Sequence, residues 1–211
     1  MKLFNYRKFY KKDSLSINDI GDNPLEFFKR WFKDANDSNE IIESNAMTLT
    51  TVEGKSPSSR VVLLKEIKDS SLVFFTNYDS NKGRAISENP NVCASFYWPP
   101  LERQVIFKGI AKKTDKDYSD SYFSSRPYKS QAAAIVSKQS EVINSYEELL
   151  DIYNKFLNKN KDFIFQRPKN WGGIEIDIKE IEFWQGRENR LHNRIICRLI
   201  NDNWDIQLLS P

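Results

Sequence analysis

The sequence predicts a mainly β chain, a small antiparallel barrel with helices on its outside. Three observations predict it. Five or six short β-forming runs follow one another with short polar connections, a meander rather than βαβ units. A helical insert then interrupts them across residues 115–157. The chain closes on a hairpin whose turn is Asn201-Asp202-Asn203.

The elements follow in order. Residues 1–22 are polar and basic without sustained periodicity and read as a mobile N-terminal arm; 23–211 read as one domain. Asn23-Pro24-Leu25-Glu26 opens a helix: Asn23 caps, Pro24 suits the first position and Glu26 returns to the cap's amide. Leu25, Phe28, Phe32 and Ala35 carry its apolar face to about residue 37. Strands are predicted over 46–52, 59–67 and 72–76, with a turn at Glu53-Gly54-Lys55. A short helix over 81–89 stops before Pro90. Strands over 92–98 and 103–113 flank Pro99-Pro100, which no continuous strand would contain. Helices are predicted over 115–124 and 130–137, separated by Arg126-Pro127. Ser145-Tyr146-Glu147-Glu148 is a capping box for a third, to about residue 157. After a lysine-rich connection over 159–170, strands occupy 174–184, 195–200 and 204–208.

Composition narrows the functions. The chain has 211 residues, 39% of them hydrophobic, including 14 Phe, 9 Tyr and 5 Trp, ample for a core. The net charge of +3 argues for no nucleic acid but allows a local anion site. One histidine, His192, and two cysteines, Cys93 and Cys197, exclude a Cys/His zinc cluster within the chain and make a disulfide framework improbable. The seven glycines form neither a dinucleotide-binding fingerprint nor a P-loop. No apolar run reaches the roughly 18 residues of a membrane span and no cleavable leader is visible, so the expected setting is cytoplasmic.

The candidate chemistry lies in basic residues at strand ends. Arg60 and Lys65 bracket Val61-Val62-Leu63-Leu64; five apart, they point to opposite faces of a regular strand. They are either its solvated ends or cations for two anionic groups. Lys82, at a helix start, reads alone as a surface lysine. Tyr122, Arg126 and Ser130 recur at intervals of four, an ordinary polar face or a phenol, guanidinium and hydroxyl for one phosphate. The densest segment, IEFWQGRENRLHNR over 181–194, holds Trp184, Arg187, Arg190, His192 and Arg194 just past an apolar strand. It is a surface hairpin loop or a ligand-binding one.

Here the residues carry a resemblance. Glu182 to Arg194, with Trp184-Gln185 and Arg190-Leu191-His192-Asn193-Arg194, is similar to the signature of the pyridoxine (pyridoxamine) 5′-phosphate oxidase family. Seven further blocks agree in order and spacing: Asn23-Pro24-Leu25, residues 60–65, Phe74-Phe75-Thr76-Asn77, Leu101-Glu102-Arg103-Gln104-Val105, residues 122–127, Ser137-Lys138-Gln139-Ser140 and residues 208–211.

The resemblance implies a homodimeric FMN-binding split β-barrel with active sites at the dimer interface. It implies FMN contacts at Arg60, Val61, Val62, Leu63, Leu64, Lys65, Phe75, Thr76, Lys82, Gln104, Gln139, Ser140, Trp184 and Arg194. Tyr122, Arg126, Ser130 and Lys65 match the cradle for the substrate phosphate. Arg190, Leu191 and His192 match the segment over the pyridine ring, where Arg190 and His192 are the candidate catalytic residues. Arg7, Lys8, Phe9 and Tyr10 fall where the family's arm covers substrate. The implied reaction oxidises pyridoxine or pyridoxamine 5′-phosphate to pyridoxal 5′-phosphate, with oxygen as acceptor and hydrogen peroxide as product.

Three residues depart from the family pattern. Asn81 stands where arginine is frequent, Phe75 where tyrosine is common, and Leu209 where arginine is usual. Two other readings stay open: another FMN split-barrel oxidoreductase, such as a phenazine-biosynthesis-type oxidase, and a non-catalytic FMN or pyridoxal-phosphate carrier.

Overall fold

The computed structural model describes residues 1–5, 8–161 and 163–211. Its elements are α1 (Ile17–Ile20), α2 (Pro24–Asp37), β1 (Ala46–Glu53), β2 (Ser56–Leu63), β3 (Glu66–Ile67), β4 (Ser71–Asn77), α3 (Asn81–Glu88), β5 (Asn91–Trp98), β6 (Arg103–Lys113), α4 (Lys116–Ser125), α5 (Tyr128–Val136), α6 (Tyr146–Lys159), β7 (Trp171–Gln185), β8 (Asn193–Ile200) and β9 (Asn203–Leu209).

The nine strands among the described residues form one antiparallel sheet, ordered β2-β1-β5-β6-β7-β4-β3, with β8 and β9 added beside β7. The organising element is β7. Its 15 residues exceed the usual strand length, and one neighbour does not cover it. On one edge β4 pairs with Trp171–Asp177 and β8 with Glu180–Gln185. On the other edge β6 runs along nearly the whole strand, with a bulge between Lys108 and Gly109. A β-carbon at Gly109 would stand 2.3 Å from the Asp177 carbonyl oxygen, so only glycine allows this approach.

Helix α2 plugs the main core. Phe28 is fully buried, 4.7 Å edge-on to Phe107 and 5.2 Å from Phe96, and Phe27 meets Phe183 at 5.0 Å. Asn23 caps the helix as its sequence predicts, but Glu26 pairs with Lys29 at 2.6 Å instead of the cap amide. A second, smaller core of Phe123, Ala132, Phe165 and Trp171 seats α4, α5 and α6.

Two expectations change. The strand predicted over 59–67 is two, because the chain changes partners at Leu64-Lys65: the Leu64 amide donates to the Asn45 carbonyl beside β1, and the Lys65 amide to the Val73 carbonyl of β4, each at 2.8 Å. The compact unit also begins ahead of Asn23: Leu15 and Ile20 are buried in the main core, and Arg103 binds Asp13 at 2.9 Å. Apolar residues at 15 and 20 dock α1, although they are too few to give periodicity.

Candidate active site

Two cavities collect most of the candidate residues. The first, about 530 Å³, is walled by Val61, Val62, Leu63 and Lys65 of the β2 end, Phe75 and Thr76 of β4, Lys82 of α3, Gln139, and Tyr122, Arg126 and Ser130. Lys65 lies in the break between β2 and β3 and lines the cavity, whereas Arg60, within β2, is not among its lining residues. Tyr122, Arg126 and Ser130 sit on no single helix: α4 ends at Ser125, and Arg126-Pro127 turns the chain into α5. The three still converge on one space.

This cavity is cationic, and among the described residues no carboxylate lines it. Lys82 Nζ is buried against two neutral acceptors, Thr76 Oγ1 and Ser80 Oγ, each at 3.2 Å. Burial, then the nearby Arg60 guanidinium, pushes its ammonium down to about 8. Arg60 binds Thr51 Oγ1 at 2.8 Å and Ser58 Oγ at 2.9 Å, and burial lowers it too. Arg126 lies 4.4 Å from the Trp171 ring centroid, and its buried Nη1 has no hydrogen-bond partner. Burial lowers Arg126 and raises the Tyr122 phenol. Phe75 and Tyr122 stack at 3.6 Å, backed by Trp171. Partly desolvated cations without counter-charges are costly unless an anion completes them. The residues present therefore fit phosphate esters, the substrate's and that of FMN alike.

Gln139 accepts from Thr76 Oγ1 at 3.5 Å, and Ser140 Oγ accepts from the Asn81 amide at 3.3 Å. The Asn81 side chain accepts from the exposed Arg84 at 2.7 Å. Phe75 serves the aromatic stack without needing a phenol. Nothing in the structure explains Leu209, which pairs with Arg194 across β8 and β9.

The second cavity, about 640 Å³, is formed by Lys8, Phe9, Tyr10, Trp184, Arg187, Glu188, Asn189, Arg190 and His192. The Arg187 amide donates to His192 Nδ1 at 3.0 Å, which leaves the ring proton on Nε2. Burial, then the Arg190 charge, lowers the His192 imidazole. Tyr10 meets Trp184 and His192 edge-on, both at 5.6 Å. Asn189 and Arg190 have φ of 55° and 63°, a left-handed pair that turns the Arg190 side chain out of the β7–β8 connection. Arg190 and Leu191 are exposed. Arg7 lies outside the described residues.

Gln104, Trp184 and Arg194 form a cross-strand row through β6, β7 and β8. Arg194 is engaged already, with Nε and Nη2 on Glu182 at 2.8 Å and Nη1 on the Ser210 carbonyl at 3.0 Å. Leu64 is buried in the core beneath the first cavity. Sequence reasoning missed Trp171, the wall behind Phe75 and Tyr122; an aromatic residue directly before the Gly172-Gly173 pair was its only signal.

The two cavities share no lining residue. Trp171 opens β7 at the first and Trp184 ends it at the second. At about 3.3 Å per residue this is a contour of roughly 40 Å along a curved strand.

Comparisons with known proteins agree with this geometry. Residues 36–158 match the family model described as pyridoxamine 5′-phosphate oxidase. Residues 171–211 match the pyridoxine 5′-phosphate oxidase C-terminal dimerisation region. A pyridoxine/pyridoxamine 5′-phosphate oxidase of Flavobacterium psychrophilum is 49% identical over 99% of this chain and 99% of its own. One of Leptospira interrogans is 44% identical over 100% of this chain and 99% of its own. The solved structure of PhzG from Burkholderia lata, in complex with tetrahydrophenazine-1-carboxylic acid, has a TM-score of 0.87 at 26% identity, covering 94% of this chain and 98% of that one. An FMN-binding protein of Nostoc punctiforme has the same fold, with a TM-score of 0.72 at 15% identity over 90% and 98% of the two chains.

Fold and site together define an FMN-dependent oxidoreductase of the split-barrel class. The chain belongs to the pyridoxamine 5′-phosphate oxidase family.

Proposed function

We propose that the protein oxidises pyridoxine 5′-phosphate or pyridoxamine 5′-phosphate to pyridoxal 5′-phosphate, passing the electrons to oxygen and releasing hydrogen peroxide, as the last step in making or salvaging that cofactor. One observation carries the reading: among the described residues the first cavity offers Lys65, Lys82 and Arg126 with no carboxylate and leaves Arg126 Nη1 without a hydrogen-bond partner. Two phosphate esters would complete those donors, each charge-assisted bond contributing roughly 1.5–3 kcal/mol.

FMN, when bound, supplies the two-electron acceptor for a hydride from the substrate's exocyclic carbon. Arg60, the segment Val61-Val62-Leu63-Leu64-Lys65, Phe75, Thr76, Lys82, Gln139 and Ser140 hold it in one protomer. Gln104, Trp184 and Arg194 hold it from the partner's equivalent positions. Lys65, Tyr122, Arg126 and Ser130 take the substrate phosphate. Arg190 holds the pyridine ring, Leu191 excludes water, and His192 donates from Nε2 to a ring substituent. Lys8, Phe9 and Tyr10 cover the ring, with Arg7 ahead of them.

The assembly is a homodimer whose sites each draw on both chains. The match of residues 171–211 to a dimerisation region supports this, as does the finding that the two cavities share no lining residue among those described. Val61 beside the first cavity and Leu191 beside the second are 65% and 70% exposed, apolar surface suited to a second copy. Among the described residues no helix is long and apolar enough to cross a membrane, and the two cysteines are free; a reducing cytoplasm suits both.

Anaerobic mixing of the FMN-loaded protein with pyridoxamine 5′-phosphate tests the activity. Bleaching of the flavin band, with recovery and hydrogen peroxide on admitting oxygen, is expected. A silent spectrum would identify a carrier. Bleaching by tetrahydrophenazine-1-carboxylic acid but not by pyridoxamine 5′-phosphate would favour the phenazine-type reading, which the likeness to PhzG supports.

A further inference from the structure

Glu102 follows the Pro99–Leu101 turn and is 3% exposed, yet it carries a carboxylate and sits at φ 54°. A left-handed residue is ordinarily glycine, asparagine or aspartate. A glycine would suit this backbone better, so the side chain is what glutamate adds. That side chain has a defined task in the fold. Oε2 accepts the backbone amides of Lys11 at 2.8 Å and Lys12 at 3.0 Å, about ninety residues away in sequence. The Glu102 backbone carbonyl accepts the Gly186 amide at 2.8 Å. Gly186 in turn is the surface on which Tyr10 rests: a β-carbon there would lie 2.8 Å from the Tyr10 ring. One residue therefore ties the segment just after Tyr10 to the strand end just below it.

We propose that Glu102 is a positioning residue for substrate: by holding the Lys11 and Lys12 amides it sets Tyr10 against Trp184 and His192 and so shapes the cover of the pyridine pocket. This rests on the proposed function for what the pocket binds, though not for the contact itself. Anchors further along the chain do not need Glu102. Arg103 holds Asp13 at 2.9 Å, Arg187 donates to the Asp13 carbonyl at 2.7 Å, and Asn193 accepts the Leu15 amide at 3.1 Å. Loss of the carboxylate releases the Lys11 and Lys12 amides; it leaves the exposed Lys11–Glu188 ion pair at 3.3 Å and the chain from Asp13 onward in place.

The experiment compares the FMN-loaded wild type with Glu102→Gly, which relaxes the left-handed backbone and removes the carboxylate, and Glu102→Gln, which keeps an amide acceptor. Hydrogen exchange at the Lys11 and Lys12 amides reads the contact without reference to activity. In Glu102→Gly we expect those amides to exchange at least about tenfold faster and KM for pyridoxamine 5′-phosphate to rise roughly tenfold. Turnover and FMN content should stay within about twofold, because two charge-assisted bonds to the cover act on binding. Glu102→Gln should recover most of both effects. Unchanged exchange in Glu102→Gly overturns the proposal, as does faster exchange with an unchanged KM, or a fall in turnover and FMN content together. A wild type that leaves pyridoxamine 5′-phosphate unoxidised refutes the functional reading instead, and the exchange result still decides whether Glu102 holds the segment.

Discussion

The Arg187 amide donates to Nδ1 of His192 at 3.0 Å, and the only histidine in the chain is thereby fixed as a neutral ring with its proton on Nε2. Protonation would turn Nδ1 into a donor facing a donor. Burial, then the Arg190 charge, already opposes it.

His192 therefore titrates below the usual imidazole value of about 6.5. Between its folded value and about 6.5 the unfolded chain binds more protons. The neutral ring's contribution to stability is complete above that range and is lost as pH falls through it. A single imidazole resonance makes the NMR titration unambiguous. A midpoint below 6.5, with substrate binding weakening on the acid side, is expected; a midpoint above 6.5 contradicts the assignment.

Lys82, at about 8 in the ligand-free chain, makes FMN affinity pH-dependent. A phosphate dianion favours the ammonium, so above pH 8 binding must recruit a proton. Affinity should fall by up to about tenfold per pH unit between 8 and 9.5. In Lys82→Met it should be weaker at pH 7 and flatter above 8. Titration by flavin fluorescence decides; a wild-type affinity independent of pH rejects a phosphate contact at Lys82.

Arg126 trades stability for binding. Its Nη1 is buried without a partner in the free chain. Arg126→Met should raise the ligand-free Tm by about 2–4 °C, the equivalent of about 1 kcal/mol for a chain of this size. The same change should raise KM ten- to a hundredfold while turnover falls far less, because a remote phosphate contact is made in ground and transition states alike. Arg190→Ala should do the reverse, lowering turnover by about a hundredfold through a misplaced ring. Calorimetry with steady-state kinetics measures both.

Gly186→Ala provides a separate check on the cover. The added methyl would meet Tyr10 at 2.8 Å, and the ring must move off Trp184. KM should rise severalfold with FMN content unchanged; an unaltered KM would mean that Tyr10 does not shape the pocket.

Strands and helices were largely legible because their periodicity and caps are local: β6 lies at its predicted residues, and Ser145 caps α6 as expected, although the Glu148 carboxylate takes the Asn144 side chain at 3.1 Å instead of closing the box. The change of partners at Leu64-Lys65 was not, since an unbroken apolar run carries no mark of it. Docking of Leu15 and Ile20 was also hidden, because a few apolar residues reveal burial only once their partners are placed. The candidate site residues came from the family signature and from the scarcity of histidine and glycine. Trp171 and Glu102 were not legible, for their roles come from contacts tens of residues away.

The central claim is that one catalytic site is divided between two cavities on two chains, and hybrid dimers test it most directly. Arg126→Ala and Arg190→Ala protomers, mixed by reversible dissociation and assayed at substrate well below the wild-type KM, carry lesions in different cavities. If each site takes Arg126 from one chain and Arg190 from the other, every mixed dimer has one intact site, and random pairing restores about a quarter of wild-type activity. If one chain supplies both, every site in a mixed dimer is damaged. Recovery near a quarter is the predicted result, and no recovery above the two parent variants would contradict the account.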